Sequence, residues 1–219
     1  MGAPDPRSDT LLMVFARAPR LGEVKTRLAP ALGDQGALAV YQRLLDRTLT
    51  VAAGHPGPAR LMLDRDDPAL ARRAEALGLT VGRQRGADLG ERMARALAEG
   101  LSQAPRVLLV GCDCPVLDQT YLALADDHLR RRRVVLGASE DGGFVLIGGS
   151  DATVWRPDRF NRVRLGGAYA LADTLVALND VALNDLSQDD ETGVAVLPPL
   201  WDVDHPEDVA RARQLGVLP

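Results

Sequence analysis

The chain has 219 residues, 46% hydrophobic and 26% charged, with a formal net charge of −4 and a pI near 5.4. That length and apolar content suit one globular domain with a sizeable core, and the acidic balance excludes an overall basic field of the kind that holds DNA or RNA. No apolar run approaches membrane-spanning length and Arg17 interrupts the short run Leu11–Ala16, so a soluble cytoplasmic protein with no membrane and no nucleic-acid partner is expected.

Met1–Asp9, rich in Pro, Asp and Gly, reads as a disordered N-terminus, and residues 10–219 as one domain. Thr10–Ala16 is a short buried strand, followed by a basic loop, Arg17–Ala29. A helix from about Asp34 to Ala53 has apolar positions Leu38, Tyr41, Leu45, Leu49 and Ala52 recurring at three and four. Ala59–Leu63 is a strand, and Asp66-Asp67-Pro68 opens a helix that ends at Gly78. Thr80–Gln84 is a further strand, after which Gly86–Gly90 leads into a helix reaching about Ser102. Arg106–Val110 is the central strand, and Asp118 caps a helix through Arg130. The run Arg130–Arg133 closes that helix, where cations suit the dipole and stay solvated.

Val134–Leu136 and Phe144–Ile147 are strands joined through the turn Glu140-Asp-Gly-Gly143. Arg162–Asp180 contains a helix, Val194–Leu197 and Leu200–Val203 return to the sheet, and Pro206–Leu215 is a closing helix. Strands alternate with helices, so the class is α/β, a single three-layer α/β/α domain with a mostly parallel sheet. Glu140–Asp180 breaks the alternation and reads as a small lobe over the site.

Val107-Leu-Leu-Val-Gly-Cys-Asp-Cys-Pro115 carries the most information. A continuous apolar run stops at Gly111 and delivers Asp113 to the open edge of the sheet, where ligands of α/β proteins bind. Cys112 and Cys114 are the chain's two cysteines, too close in extended chain for a good disulfide and too few for a zinc set, so both are expected as buried thiols. Gly22-Glu-Val-Lys-Thr26 lacks the spacing of a phosphate-binding P-loop. What remains is a loop carrying Arg17, Arg20, Lys25 and Arg27, with Gly22 allowing close backbone approach, able to bind a di- or triphosphate or simply to be solvated. Asp202 and Asp204 share one face by the period of two and, with Asp113, could hold Mg²⁺ or Mn²⁺; Asp204 could equally cap the last helix. Glu140, Asp141, Gly142 and Gly143 form either a plain turn or a contact for substrate hydroxyls. Gly86–Gly90, with Asp88, Leu89 and Gly90, has the same dual reading at a helix N-terminus.

As an ordered set, Phe15–Leu28, Gly86–Met93, Gly111–Pro115, Glu140–Phe144 and Trp201–Asp204 resemble the GT-A (nucleotide-diphospho-sugar transferase) superfamily. The similarity spans about Leu12 to Ala212 and is nearest to a bacterial and archaeal glycosyltransferase family, some of it named for arsenosugar biosynthesis. More distantly it is similar to 2-phospho-lactate guanylyltransferase and the molybdenum-cofactor guanylyltransferase. The resemblance implies a GT-A fold, with nucleotide phosphates bound by Arg17, Lys25 and Arg27; Ala16 and Gly22 beside them, and Asp88, Leu89 and Gly90 facing base or ribose, complete the expected nucleotide site. It implies a metal, Mg²⁺ or Mn²⁺, on Asp113, Asp202 and Asp204; Glu140, Asp141, Gly142 and Gly143 are the expected acceptor or sugar site. Asp113, Asp141 and Lys25 are the catalytic candidates. His205 and Arg164-Leu-Gly-Gly167 depart from the family pattern on the acceptor side.

The implied reaction is sugar transfer from a nucleotide-diphospho-sugar to a small-molecule acceptor. Nucleotidyl transfer from an NTP to a phosphorylated small molecule, releasing pyrophosphate, is the alternative, and a non-catalytic nucleotide-binding module is the third reading. A homodimer is compatible with each.

Overall fold

The computed structural model describes residues 8–178 and 193–218. Seven strands form one sheet in the order β3-β2-β1-β4-β6-β5-β7. They are β1 (Thr10–Ala16), β2 (Ala59–Leu63), β3 (Thr80–Arg83), β4 (Arg106–Val110), β5 (Val134–Ser139), β6 (Phe144–Gly149) and β7 (Val194–Leu200). The helices are α1 (Ala29–Ala53), α2 (Pro68–Ala76), α3 (Leu89–Leu101), α4 (Gln119–Leu129), α5 (Ala170–Ala177) and α6 (Pro206–Gln214). The α/β class and the mostly parallel sheet are as expected. β6 alone runs antiparallel to its neighbours, inserted between β4 and β5.

β1 is buried at every position because helices cover both faces of the sheet. Its alternation divides the core: Leu12, Val14 and Ala16 face the layer holding Tyr41, Leu45 and Leu122, whereas Leu11, Met13 and Phe15 face Met93, Leu97 and Phe160. A third cluster joins α1 to α6 through Leu44, Trp201 and Val209. The edge strand β7 carries Pro198 and Pro199, tolerated where no ladder donor is needed.

The N-caps follow local chemistry. Asp67, Asp88 and Asp118 each accept a hydrogen bond from the backbone N–H three residues on, and Pro68 follows Asp67 at the first helical position. α1 begins five residues before the expected Asp34, with a non-helical break at Gly33 (φ 70°) between its first turn and the main helix. The two expected strands near the C-terminus are one, β7, and Trp201–Asp204 lies beyond its end. Burial still alternates there: Trp201 and Val203 are buried and Asp202 and Asp204 half-buried, so the two acids share a side although they are not on a strand.

The expected lobe is only partly separate. β6 joins the main sheet, and the chain after it packs against α3 through Trp155 and Phe160 before reaching α5. Residues 1–7 of the expected disordered terminus, and the end of the expected Arg162–Asp180 helix, lie outside the described residues.

Candidate active site

The C-terminal ends of β1, β2, β3, β4, β5 and β7 and the start of the reversed β6 meet along one edge of the sheet. Strand order changes direction at β1, between β2 and β4, so the loops after β1 and β4 diverge and leave a crevice. Lys25 comes from the first of these loops and Asp113 from the second.

The loop after β1 is held in shape from below. The buried Tyr41 hydroxyl accepts from the Arg17 N–H at 2.9 Å and donates to the Arg17 carbonyl at 2.8 Å. Burial, and to a lesser extent neighbouring Cys112, pushes the Tyr41 phenol up, so it stays protonated and able to donate. Asp64, at the end of β2, accepts from the Ala18 N–H at 2.7 Å. Lys25 occupies the left-handed region at φ 47°, which turns its side chain inward.

Its ammonium lies 2.7 Å from Asp113 Oδ1 and 2.9 Å from Asp204 Oδ1, with only 6% of the side chain exposed, and Arg27 reaches Asp204 Oδ2 at 2.8 Å. Burial alone would lower the Lys25 pKa, but Asp113 and Asp204 outweigh it and hold the group charged. Asp113 Oδ1 is buried against this ammonium. Asp204 does not cap the last helix. His205 is the N-cap residue, and Asp208 accepts the N–H groups of Asp204 and His205.

Asp202 is set apart from this pair. Ser139, at the end of β5, donates to it at 2.9 Å. Burial, and then the charges of Asp141, Asp204 and Asp113, push its carboxyl up to about 6. The expected trio of Asp113, Asp202 and Asp204 is therefore not assembled as a cage, and no group of three metal-ligating side chains occurs among the described residues. Two carboxylates converging on one cation do suit a hard divalent ion. Mg²⁺ is commonly held by one or two carboxylates with substrate phosphates completing its shell. The carboxylates of Asp113 and Asp204, already converging on one cation, fit that role, whereas Asp202 is held by the Ser139 hydroxyl.

Two adjoining cavities open here. The larger, about 700 Å³, is lined by Ala16, Arg17, Lys25, Arg27, Leu89, Asp113 and Asp204 among the sequence candidates, and also by Tyr41, Asp64, Arg65, Gln84 and Arg92. The smaller, about 230 Å³, takes in Asp141, Gly143 and Asp202, and shares Leu89, Asp113 and Asp204 with the first.

Several expected residues lie elsewhere. Glu140 turns outward to Arg211 at 2.7 Å. Gly142 crosses beneath Ala168 and accepts the Leu171 N–H, so it supports the turn and lines neither cavity. Asp88 is occupied as a cap, Gly90 packs beneath Phe160, and Gly22 faces Asp34. Asp64 carried the same signal as Asp113, a charge soon after an apolar strand, whereas Gln84 follows the polar end of β3 and carried none. Gln84 donates to the carbonyls of Ala16 and Met62, tying three strand ends together. Cys112 and Cys114 are free and buried; burial raises their thiols, to about 12 and about 11, so they are inert as nucleophiles.

This architecture is that of the nucleotide-diphospho-sugar transferase fold. The chain belongs to the family described as "Uncharacterized protein conserved in bacteria (DUF2064)", whose model matches residues 47–167. It is similar to a candidate nucleotide-diphospho-sugar transferase from Desulfovibrio desulfuricans. The TM-score is 0.76 at 27% identity, over 90% of this chain and 83% of that one. Fold similarity extends to 4-diphosphocytidyl-2C-methyl-D-erythritol synthase from Anaerococcus prevotii, with TM-score 0.54 and 14% identity over 94% and 95% of the two chains. It extends also to glucosyl-3-phosphoglycerate synthase from Mycobacterium tuberculosis, a complex with Mn²⁺, uridine diphosphate and glucosyl-3-phosphoglycerate. There the TM-score is 0.50 and the identity 12%, over 95% and 77% of the chains. No helix among the described residues is long and apolar enough to cross a membrane.

Proposed function

We propose that this protein transfers a sugar from a nucleotide-diphospho-sugar to a small-molecule acceptor. The observation that carries this reading is the convergence of Asp113 and Asp204 on one cation at the switch point of the sheet, between a cation-lined cavity and an acid-lined one. Arg17, Arg27, Arg65 and Arg92 would bind the diphosphate by charge-assisted hydrogen bonds. Lys25 would join them when a bound ion takes its place between the acids. Asp113 and Asp204 are the residues to hold Mg²⁺ or Mn²⁺, which when bound supplies positive charge to the leaving diphosphate. Asp141, whose Oδ1 accepts the Gly143 N–H at 2.8 Å, would meet the acceptor.

Nucleotidyl transfer from an NTP is the second reading. The number of cations lining the larger cavity favours it, since a triphosphate would use more of them. A thermal-shift panel separates the two: UDP, GDP, their sugars and the four NTPs, each with and without Mn²⁺. Stabilisation by one diphosphate and its sugar, dependent on Mn²⁺, is the outcome expected. Preference for one NTP would replace this reading with nucleotidyl transfer, and no response to any nucleotide would remove both.

A further inference from the structure

The two cavities differ in charge. The larger is lined by the cations Arg17, Lys25, Arg27, Arg65 and Arg92. Among the described residues lining the smaller there is no cation; its charged groups are Asp113, Asp141, Asp202 and Asp204. Lys25 and Arg27 neutralise Asp113 and Asp204 from the other side. Among the described residues Asp141 and Asp202 have no such counter-charge: their partners are the Gly143 N–H and the Ser139 hydroxyl. The rest of the smaller cavity's wall is apolar, including Met93, Leu109, Phe144, Ile147 and Leu165.

A phosphate or carboxylate entering beyond the Asp113–Asp204 end would meet Asp141 and Asp202 with no lining side-chain cation to offset their repulsion. A hydroxyl would instead find carboxylate acceptors, and an apolar body would find matching walls. We infer that the acceptor is an unphosphorylated, non-anionic small molecule that presents a hydroxyl on an otherwise apolar face. This rests on the proposed sugar transfer, and it weighs against nucleotidyl transfer, whose acceptor carries a phosphate. In the step it implies, the acceptor oxygen bonds to the anomeric carbon as that carbon's bond to the diphosphate oxygen breaks. The bonding pair departs with the nucleoside diphosphate, and the hydroxyl proton passes to the Asp141 carboxylate.

The test uses the full chain saturated with diamagnetic Mg²⁺ and whichever nucleoside diphosphate stabilises it, so that the cationic cavity is filled. Ligand-observed NMR then compares benzyl alcohol with benzyl phosphate. The alcohol should bind at least tenfold more tightly, and Leu165→Trp, which fills the cavity, should abolish its signal while leaving the nucleotide thermal shift unchanged. If Leu165→Trp does not fold, Ala170→Val serves for the same wall. Equal or tighter binding of benzyl phosphate, itself blocked by the filling variant, would overturn the inference. So would binding of neither probe. Failure of the sugar-transfer reading shows separately, as a missing nucleotide shift before any acceptor is added.

Discussion

Lys25 and Asp113 form a 2.7 Å ion pair between the loops that follow β1 and β4, and the same ammonium serves Asp204. A buried cation thus stands between two carboxylates in the position a divalent ion would use. Lys25→Met removes it. Breaking a buried pair costs several kcal/mol, but Asp113 and Asp204 are 42% and 30% exposed and partly screened, so a loss of about 1–3 kcal/mol is expected. Mn²⁺ should then stabilise the variant more than the parent, because its internal competitor is gone. Differential scanning fluorimetry with and without Mn²⁺ reads both effects. An unaltered midpoint and Mn²⁺ response would exclude Lys25 as the internal counter-ion.

Asp113→Asn should abolish Mn²⁺-dependent nucleotide binding while far-UV circular dichroism remains that of the parent. Its carboxylate is at the crevice rather than in the core, and the amide removes the charge without changing the volume. Isothermal titration with the preferred nucleotide checks this. Retained Mn²⁺-dependent affinity would sink the assignment of Asp113 as the ligand.

Gly142 lies in the left-handed region at φ 89°, and a Cβ there would collide with the Ala168 carbonyl. Both are backbone constraints that a neighbouring side chain cannot relieve. Gly142→Ala should destabilise the fold by about 2 kcal/mol or more and loosen the turn that presents Asp141. Urea unfolding gives the first number. The same substitution at Gly167, where a Cβ meets nothing, should cost far less and serves as the control.

Asp126 ties the start of β4 to α4. Burial raises its carboxyl, but hydrogen bonds from Thr10, Arg106 and Arg130, with the Arg106 charge, outweigh this and hold it below the usual carboxylate range. The folded pKa is the lower one, so the stability it contributes is present above the unfolded value of about 3.9 and is lost as pH falls through the folded value. Asp126→Asn should therefore cost about 1–3 kcal/mol at pH 7 and make the protein less sensitive to acid. Urea midpoints at pH 7 and pH 3 decide it: an equal penalty at both would show that the carboxylate charge contributes nothing.

Much of this protein was legible in local sequence because local physics decides it. Full burial of β1 and β4 makes them continuous apolar runs, the caps at Asp67 and Asp118 need only their own next turn, and Asp113 stands out because a charge directly after a buried strand has few places to go. What tertiary structure alone decided is which groups face one another. Reversal of β6 between β4 and β5 carries the Asp141 turn to the crevice, and no periodicity encodes a strand's neighbours. Lys25 meets Asp204 across 179 residues, Glu140 is drawn outward by Arg211, and Asp202 finds the Ser139 hydroxyl. Each of these depends on where a distant charge or hydroxyl comes to rest once the sheet has formed. Sequence by itself determined the elements and the acid at the strand end; the order of strands in the sheet determined which cavity each acid serves.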